Sequence, residues 1–512
     1  MKTKYITTPL YYVNGDPHIG HSYTNVVTDT LARFYRLDGN KVFFLTGTDE
    51  HGQKIKKEAE NAGLEPGDYA DKVAVKFKNL WKELNIQYDD FIRTTEARHI
   101  VTVKKALIKL YKQGDLYVGK YEGWYCTPCE TFWQAKEIND GLCPDCHRKV
   151  DHIEEQNYFF RLSKYQKWLL DFLKSNPSFI QPSIRYNETI SFLENNMLQD
   201  LCITRPKARL SWGIEVPFSK EHVVYVWFDA LLNYISACSW GRNTFRFRSL
   251  WPADIHLLGK DILRQHAVYW PIMLRALGVA MPRMVFAHGW WLVKGEKMSK
   301  SKGNILDPYY LINKYGLDSY RYFLLREVPF GLDGSFSEDT FIFRFNSDLA
   351  NDLGNLVNRT INMIQKYFNG TIPIKNKVSD PLLKDLEEQS KLLFEKVRLH
   401  MYKLEFSDAL SEIWKVINKA NKLIELQAPW SMFKNNETDK LGELMYALAE
   451  SLRIVTVAIF PFMPNAASKI WDQLGIPYDL QKTRLNSIKK FFFLKKKIHV
   501  KQPQPIFPRI KV

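Results

Sequence analysis

Tyr5-Ile6-Thr7-Thr8-Pro9-Leu10-Tyr11-Tyr12-Val13-Asn14-Gly15-Asp16-Pro17-His18-Ile19-Gly20-His21-Ser22 is the stretch on which the fold turns. Its first three residues read as a short strand, and Pro9, Asn14, Gly15, Asp16 and Pro17 are loop formers. A helix follows: Ser22 can cap it, Tyr23, Val27, Leu31 and Phe34 recur at helical spacing, and Gly39 can close it. Val42-Phe43-Phe44-Leu45 then forms an apolar run without alternation, which suits a parallel strand covered on both faces. A β-loop-α-β unit of this kind predicts that the chain opens a doubly wound α/β domain, whose ligands bind outside the carboxyl ends of its strands.

Working outward, strand-like runs recur at Val223–Phe228, Ile255–Leu258 and Met284–Phe286, separated by helix-length segments. The sheet is therefore expected to be split, with residues from about Gly114 to His222 inserted between its halves. From about Phe345 the pattern turns helical. Leu349, Leu353, Leu356, Met363 and Tyr367 follow one stripe; Phe406, Leu410, Ile413, Ile417, Ala420 and Ile424 a second; Leu441, Met445, Leu448, Leu452, Val455 and Ile459 a third. Such stripes bury themselves only against one another, which predicts a bundle.

With 45% apolar and 25% charged residues among 512, the composition is that of a multidomain globular chain, not a disordered or fibrous one. Ten of the 72 basic residues and none of the 56 acidic ones lie from Lys482 onward, so much of the +16 net charge is a tail that favours a polyanionic partner such as nucleic acid. Pro503, Pro505, Phe507, Pro508 and Arg509 are expected to fold that tail back onto the body. No apolar run is long enough for a membrane span and no secretory signal precedes Thr7, which points to the cytoplasm.

Four of the six cysteines form Cys126-x-x-Cys129 and, thirteen residues on, Cys143-x-x-Cys146. That is the spacing of a tetrahedral four-thiolate zinc site, whose filled coordination shell makes the metal structural. Pro17-His18-Ile19-Gly20-His21 sits where a loop enters a helix, a place that attracts phosphate, and the two imidazoles can donate to it. Lys297-Met298-Ser299-Lys300-Ser301, flanked by Gly295 and Gly303, offers two ammonium groups on a mobile loop that can neutralise a departing pyrophosphate. Alone, two nearby histidines are more often surface or capping groups, and the second motif equally suits a basic surface turn. Gly114–Lys120 matches the spacing of a phosphate loop, but Tyr121 stands where a magnesium-binding hydroxyl belongs, so it reads as a turn.

Taken together, in this order and around a split sheet, the two motifs resemble those of the class I aminoacyl-tRNA synthetases, and over nearly the whole chain the resemblance sharpens to the methionyl-tRNA synthetase family. It implies a split Rossmann-like parallel sheet with an inserted zinc-binding connective module and a following all-α helical bundle. The segments are 1–115 and 223–290 for the two catalytic halves, 116–222 for the connective module, 291–344 for the lysine loop and stem-contact region, and 345–512 for the anticodon-binding bundle with its basic tail. Leu10, Tyr12, Asp49, Trp227, Tyr234, Ile262 and His266 look like that family's methionine pocket. Aromatic walls suit a polarizable thioether, and Asp49 would pair with the substrate ammonium. His18, Gly20, His21, Gly259, Asp261, Lys297 and Lys300 fall at ATP-binding positions, with His18, His21, Lys297 and Lys300 in catalytic roles and Asp261 near the ribose. Magnesium is expected with the ATP.

Asn351, Asn355 and Arg359, spaced four apart, form a polar stripe able to bond splayed bases, and Trp430 after Pro429 offers a stacking surface. Asn355, Arg359, Pro429 and Trp430 match the family's anticodon contacts. The implied partners are ATP, L-methionine and tRNA(Met). The chain ends without the tRNA-binding barrel that many relatives append, so a monomer is expected. Two rival readings are another class I synthetase and a catalytically inert, zinc-containing tRNA-binding paralogue.

Overall fold

The computed structural model describes residues 3–127, 131–133, 135–138, 140–144, 146–293, 296–297 and 306–511. It divides into two compact units, one made of residues 1–28 and 42–288, the other of 29–41 and 289–512.

The first unit is built on a seven-stranded sheet: β1 (Lys4–Thr7), β2 (Tyr11–Tyr12), β3 (Val42–Asp49), β4 (Asp90–Arg93), β5 (Ile180–Gln181), β6 (Ile255–Gly259) and β7 (Val285–His288). The strands run β2-β3-β1-β6-β7-β5 with β4 also on β3, and every pairing is parallel. β1 is the hinge of this order. Its Ile6 lies opposite Phe44 on one side and Ile255 on the other. The chain leaves β1 for β3 through helix α1 (Ile19–Leu37), while β6 on the other flank arrives from far downstream. The order therefore switches direction between β1 and β6, and their carboxyl ends frame the crevice in which such sheets bind ligands. Tyr5, Ile6, Phe44, Leu45 and Leu257 are fully buried, as strands covered on both faces require.

Two elements depart from the pattern seen in the sequence. Val223–Phe228 is not a strand of this sheet: His222–Val224 pairs antiparallel with Thr204–Pro206, and Val226–Leu231 is a buried helix. A short apolar run does not distinguish a buried strand from a buried helix. Conversely, β5 lies within the stretch expected to be inserted. Its two residues are the outer partner of β7, and Leu169, Leu173 and Leu193 around it join the same core. Pro182 directly after it suits an edge strand. The rest of that stretch holds a four-stranded antiparallel sheet of Thr131–Trp133, Leu116–Cys126, Asp151–Phe160 and Leu201–Cys202. Gly114 ends a helix with φ of 76° and Leu116–Lys120 is strand, so no phosphate cradle forms there.

In the second unit the helical stripes appear as Phe345–Gly354, wound in a wider π-type turn, then Asn355–Phe368, Phe406–Gln427 and Thr438–Ile459. A further long helix, Pro381–Tyr402, packs with them. Its stripe is blurred because Ser390 faces inward while Leu382, Leu392 and Leu399 are exposed. Two charged clusters are fully buried. Asp29 receives Arg33 and Arg321, both at 2.7 Å, and Arg321 also donates to the Phe462 carbonyl at 2.9 Å. Glu450 pairs with Arg453 at 2.6 Å and accepts the N–H groups of Phe493 and Leu494, while Arg453 donates to the Lys490 carbonyl. The tail does fold back: Asn346 exchanges two hydrogen bonds with Ile510, and Phe507 meets Phe345 edge-on at 5.9 Å.

Gly47, in the middle of β3, has no room for a side chain, because a Cβ there would lie 1.9 Å from the Ile92 carbonyl oxygen of β4. Gly47→Ala must force β3 and β4 apart, and urea unfolding of the variant is expected to lose about 2 to 4 kcal/mol.

Candidate active site

The histidine motif lies at the mouth of α1, beyond the end of β1. The Gly20 N–H donates to His18 Nδ1 at 3.1 Å and the His18 N–H to His21 Nδ1 at 3.2 Å. The two rings stack at 3.9 Å. With Nδ1 accepting in both, the ring hydrogen of each neutral imidazole sits on Nε2. The need for glycine is local: a Cβ at position 20 would meet the His18 ring at 3.0 Å. His21 is held in turn by the rings of Tyr11 at 5.1 Å and Phe77 at 5.3 Å.

Across the crevice, β6 ends at Gly259, whose bare Cα leaves room for the Asp261 carboxylate; a Cβ would come within 2.6 Å of Asp261 Oδ1. Gly259 lies opposite His288 on β7, and His288 Nε2 bonds Thr24 Oγ1 of α1 at 2.8 Å. The Asp261 carboxylate and the His288 ring thus both lie on the side of Gly259 where a Cβ would project.

The residues expected to hold an amino acid gather around one core. Leu10, Tyr12, Trp227 and Ile262 are its partly buried fringe and Tyr234 is buried within it. Asp49, only 7% exposed, ends β3 directly opposite Tyr12. The Tyr234 hydroxyl lies 2.8 Å from His266 Nε2, and His266 Nδ1 lies 2.9 Å from the Ile262 carbonyl. The carbonyl can only accept, so Nδ1 carries the hydrogen and Nε2 accepts from Tyr234. Burial pushes His266 down to about 4 and keeps it neutral at physiological pH. Beside the Tyr234 ring, Trp270 donates to His256 Nε2 at 3.3 Å, which leaves His256 Nδ1–H for Thr7 Oγ1 at 2.7 Å. His256 is also held neutral, by burial and by its neighbour His266.

Cys126, Cys143 and Cys146 have sulfurs all within 4.8 Å of one another, with Cys126 and Cys146 3.5 Å apart. Four thiolates about 2.3 Å from a tetrahedral zinc lie about 3.8 Å apart, so the three fit that geometry. Cys129 lies outside the described residues, as does Lys300; Lys297 has a described backbone, in strand Glu296–Lys297, but no described side chain. In the helical unit Asn351, Asn355 and Trp430 are exposed, Trp430 by 51%, and Pro429 is buried. Arg359 reaches Glu425 at 3.4 Å. The π-type winding makes Asn351 to Asn355 less than a full turn, whereas Asn355 to Arg359 is one α turn.

Comparison with known proteins matches residues 4–156 and 148–361 to the class I tRNA synthetase family (M) and residues 384–505 to the anticodon-binding domain of tRNA ligases. The methionine–tRNA ligase of Caldanaerobacter subterraneus subsp. tengcongensis is 52% identical over 100% of this chain and 79% of its own length. That of Bacillus subtilis is 47% identical over 99% of this chain and 78% of its own length. The chain belongs to the methionyl-tRNA synthetases. Among solved structures, Mycobacterium tuberculosis methionyl-tRNA synthetase in complex with methionyl-adenylate is 41% identical, covers 99% of this chain and all of its own, and superposes with a TM-score of 0.94.

The sequence alone did not single out the supports of this synthetase's pocket. Asp229 is buried between His51 Nδ1 and His99 Nε2, both at 2.7 Å, and so ties the loop after β3 to the helix that carries Trp227. Burial opposes the Asp229 charge, yet the two histidines hold its carboxyl below the usual range. Glu50 is fastened by Arg93 at 2.6 Å and Thr95 at 2.6 Å. The signal available was the run Asp49-Glu50-His51, three chemically active groups directly after a buried strand.

His266 fixes a pH dependence. Between its ordinary value of 6.5 and its folded value of about 4, the unfolded chain takes up a proton that the folded chain refuses, so stability falls as the pH drops through that window. The loss from this group is about 3 kcal/mol. His266→Gln is expected to flatten that part of the pH profile of urea unfolding, leaving the same-signed contribution of His256.

Proposed function

We propose that this chain activates L-methionine with ATP and transfers it to tRNA(Met). The observation that carries the reading is the whole-chain likeness to a solved synthetase holding methionyl-adenylate, combined with the two stacked imidazoles at the mouth of α1. In the first step a methionine carboxylate oxygen attacks the α-phosphorus of ATP; the bond to the bridging oxygen breaks and pyrophosphate leaves. In the second a terminal ribose hydroxyl of the tRNA attacks the methionyl carbonyl, its proton is released and AMP departs.

Asp49 pairs with the methionine ammonium, and Leu10, Tyr12, Trp227, Tyr234, Ile262 and His266 enclose the thioether. Neutral His266 suits this task, since a charged imidazolium would be costly against an apolar side chain. His18 and His21 donate Nε2–H to phosphate oxygens, Gly20 and Gly259 keep the crevice open, and Asp261 binds the nucleotide ribose. Lys297 and Lys300 neutralise the pyrophosphate as it forms. Catalysis is thus positioning and charge stabilisation, with little proton transfer. Magnesium bound to the ATP adds neutralisation. Asn351, Asn355, Arg359, Pro429 and Trp430 receive the anticodon. Cys126, Cys129, Cys143 and Cys146 hold one structural zinc, for which the three described sulfurs have the right spacing.

ATP–pyrophosphate exchange run with each amino acid in turn should respond to methionine alone, with at least about a tenfold preference over near analogues. Exchange selective for any other amino acid would overturn the proposal. Elemental analysis of the native chain is expected to return one zinc per polypeptide, and Cys143→Ser to return less than half while exposing residues 116–160 to proteolysis. Full zinc occupancy in that variant would remove the four-thiolate assignment.

A further inference from the structure

Leu426, Trp430 and Phe433 are 60%, 51% and 49% exposed, a cluster of large apolar side chains within eight residues of a charged surface. Trp430 and Phe433 stand three apart in helix Pro429–Lys434 and so share one face of it. Trp430 belongs to the anticodon surface proposed above. Phe433 has no role there, yet its ring is fixed: it stacks on Tyr367 at 4.7 Å and 26°, at the far end of helix Asn355–Phe368. With one ring face on Tyr367, the remaining exposure comes from the opposite face and edge.

The same long helix leads from the anticodon residues to this pair. Asn355, Arg359, Asn362 and Lys366 recur at helical spacing along one face. From Asn355 to Lys366 that stripe is about 16 Å long, against roughly 10 Å for three stacked nucleotides at 3.4 Å each. It is longer than a triplet requires. Lys366 lies over the Tyr367 ring at 5.6 Å and Lys434 is the exposed neighbour of Phe433, so the platform is edged by positive charge suited to a phosphate backbone. Glu425 is an opposing charge engaged by Arg359 at 3.4 Å, and Glu437, just after the helix that bears Phe433, is paired with Lys440 at 2.7 Å.

We infer that the Tyr367–Phe433 pair is a second base-stacking platform, which takes an unpaired base of the tRNA anticodon loop lying next to the triplet. A ring already held by its neighbour loses little freedom when a base settles on it, which favours binding. Stacking of this kind tolerates any base, so the platform adds affinity and fixes the path of the loop without reading sequence. This rests on the reading that the helical unit receives the anticodon.

The test measures binding of a full-length tRNA(Met) transcript to the whole chain, as wild type, Phe433→Ala, Phe433→Trp and Trp430→Ala. The same transcript is also made abasic, in turn, at each nucleotide flanking the triplet. Phe433→Ala is expected to weaken binding of the intact transcript roughly tenfold. Methionine-dependent pyrophosphate exchange should stay unchanged, and Phe433→Trp should restore binding. With one of the two abasic transcripts, wild type and Phe433→Ala should bind alike. Equal affinity of wild type and Phe433→Ala for the intact transcript overturns the inference, as does the same loss with both abasic transcripts. If Trp430→Ala also binds normally, the anticodon reading fails with it; if only Trp430→Ala is weakened, the platform alone is removed.

Discussion

The parallel pairing of β1 with β3 on one flank and β6 on the other is the constraint on which the active site depends. Ile6 lies between Phe44 and Ile255, and all three strands end at the same edge. Each candidate nucleotide group of this unit lies at or after one of those strand ends: His18 and His21 after β1, Gly259 at the end of β6 and Asp261 just beyond it. Register here carries chemical meaning, because a slip by one residue in β6 would exchange the faces on which Leu257 and Leu258 are buried and re-aim the Gly259 turn. The hydrophobic core therefore sets the position of groups that make no apolar contact themselves.

Polar groups beneath the pocket complete what the sheet begins. Asp229 is a charge taken wholly out of water, which is costly unless both oxygens are engaged, and His51 and His99 engage both. Through that one carboxylate the segment bearing Asp49 and the segment bearing Trp227 are braced together. His256 and His266 use burial differently. Kept neutral, each acts as an oriented donor and acceptor, and the Thr7-His256-Trp270 and Tyr234-His266-Ile262 contacts lock the aromatic floor without adding charge to it.

What could be read in the sequence follows from how each element announces itself. The opening β-loop-α-β unit was legible because a continuous apolar run, a helical stripe and a glycine stop fall in one line. The histidine motif and the cysteine pairs were legible because their chemistry depends on short spacings. β5 was not, since two residues cannot carry a period, and Val226–Leu231 misled because its apolar side chains satisfy a strand as well as a buried helix. Helix Pro381–Tyr402 escaped notice through Ser390 on its inner face, which meets Ser451 at 3.3 Å. His99, Asp229 and His288 are single residues whose partners lie more than a hundred positions away, and nothing local marks them.

The Glu450–Arg453 pair has a bearing on the lifetime of the chain. Lys489, Lys490, Lys495, Lys496 and Lys497 are five cleavage points for a trypsin-like protease within nine residues, yet the backbone among them is pinned by the Glu450 carboxylate and the Arg453 guanidinium. A protease needs an extended, detached strand, and detaching this one strands two opposite charges in an apolar interior. The segment richest in scissile bonds is thus shielded by the cost of opening it, and its digestion is governed by the bundle's own unfolding equilibrium.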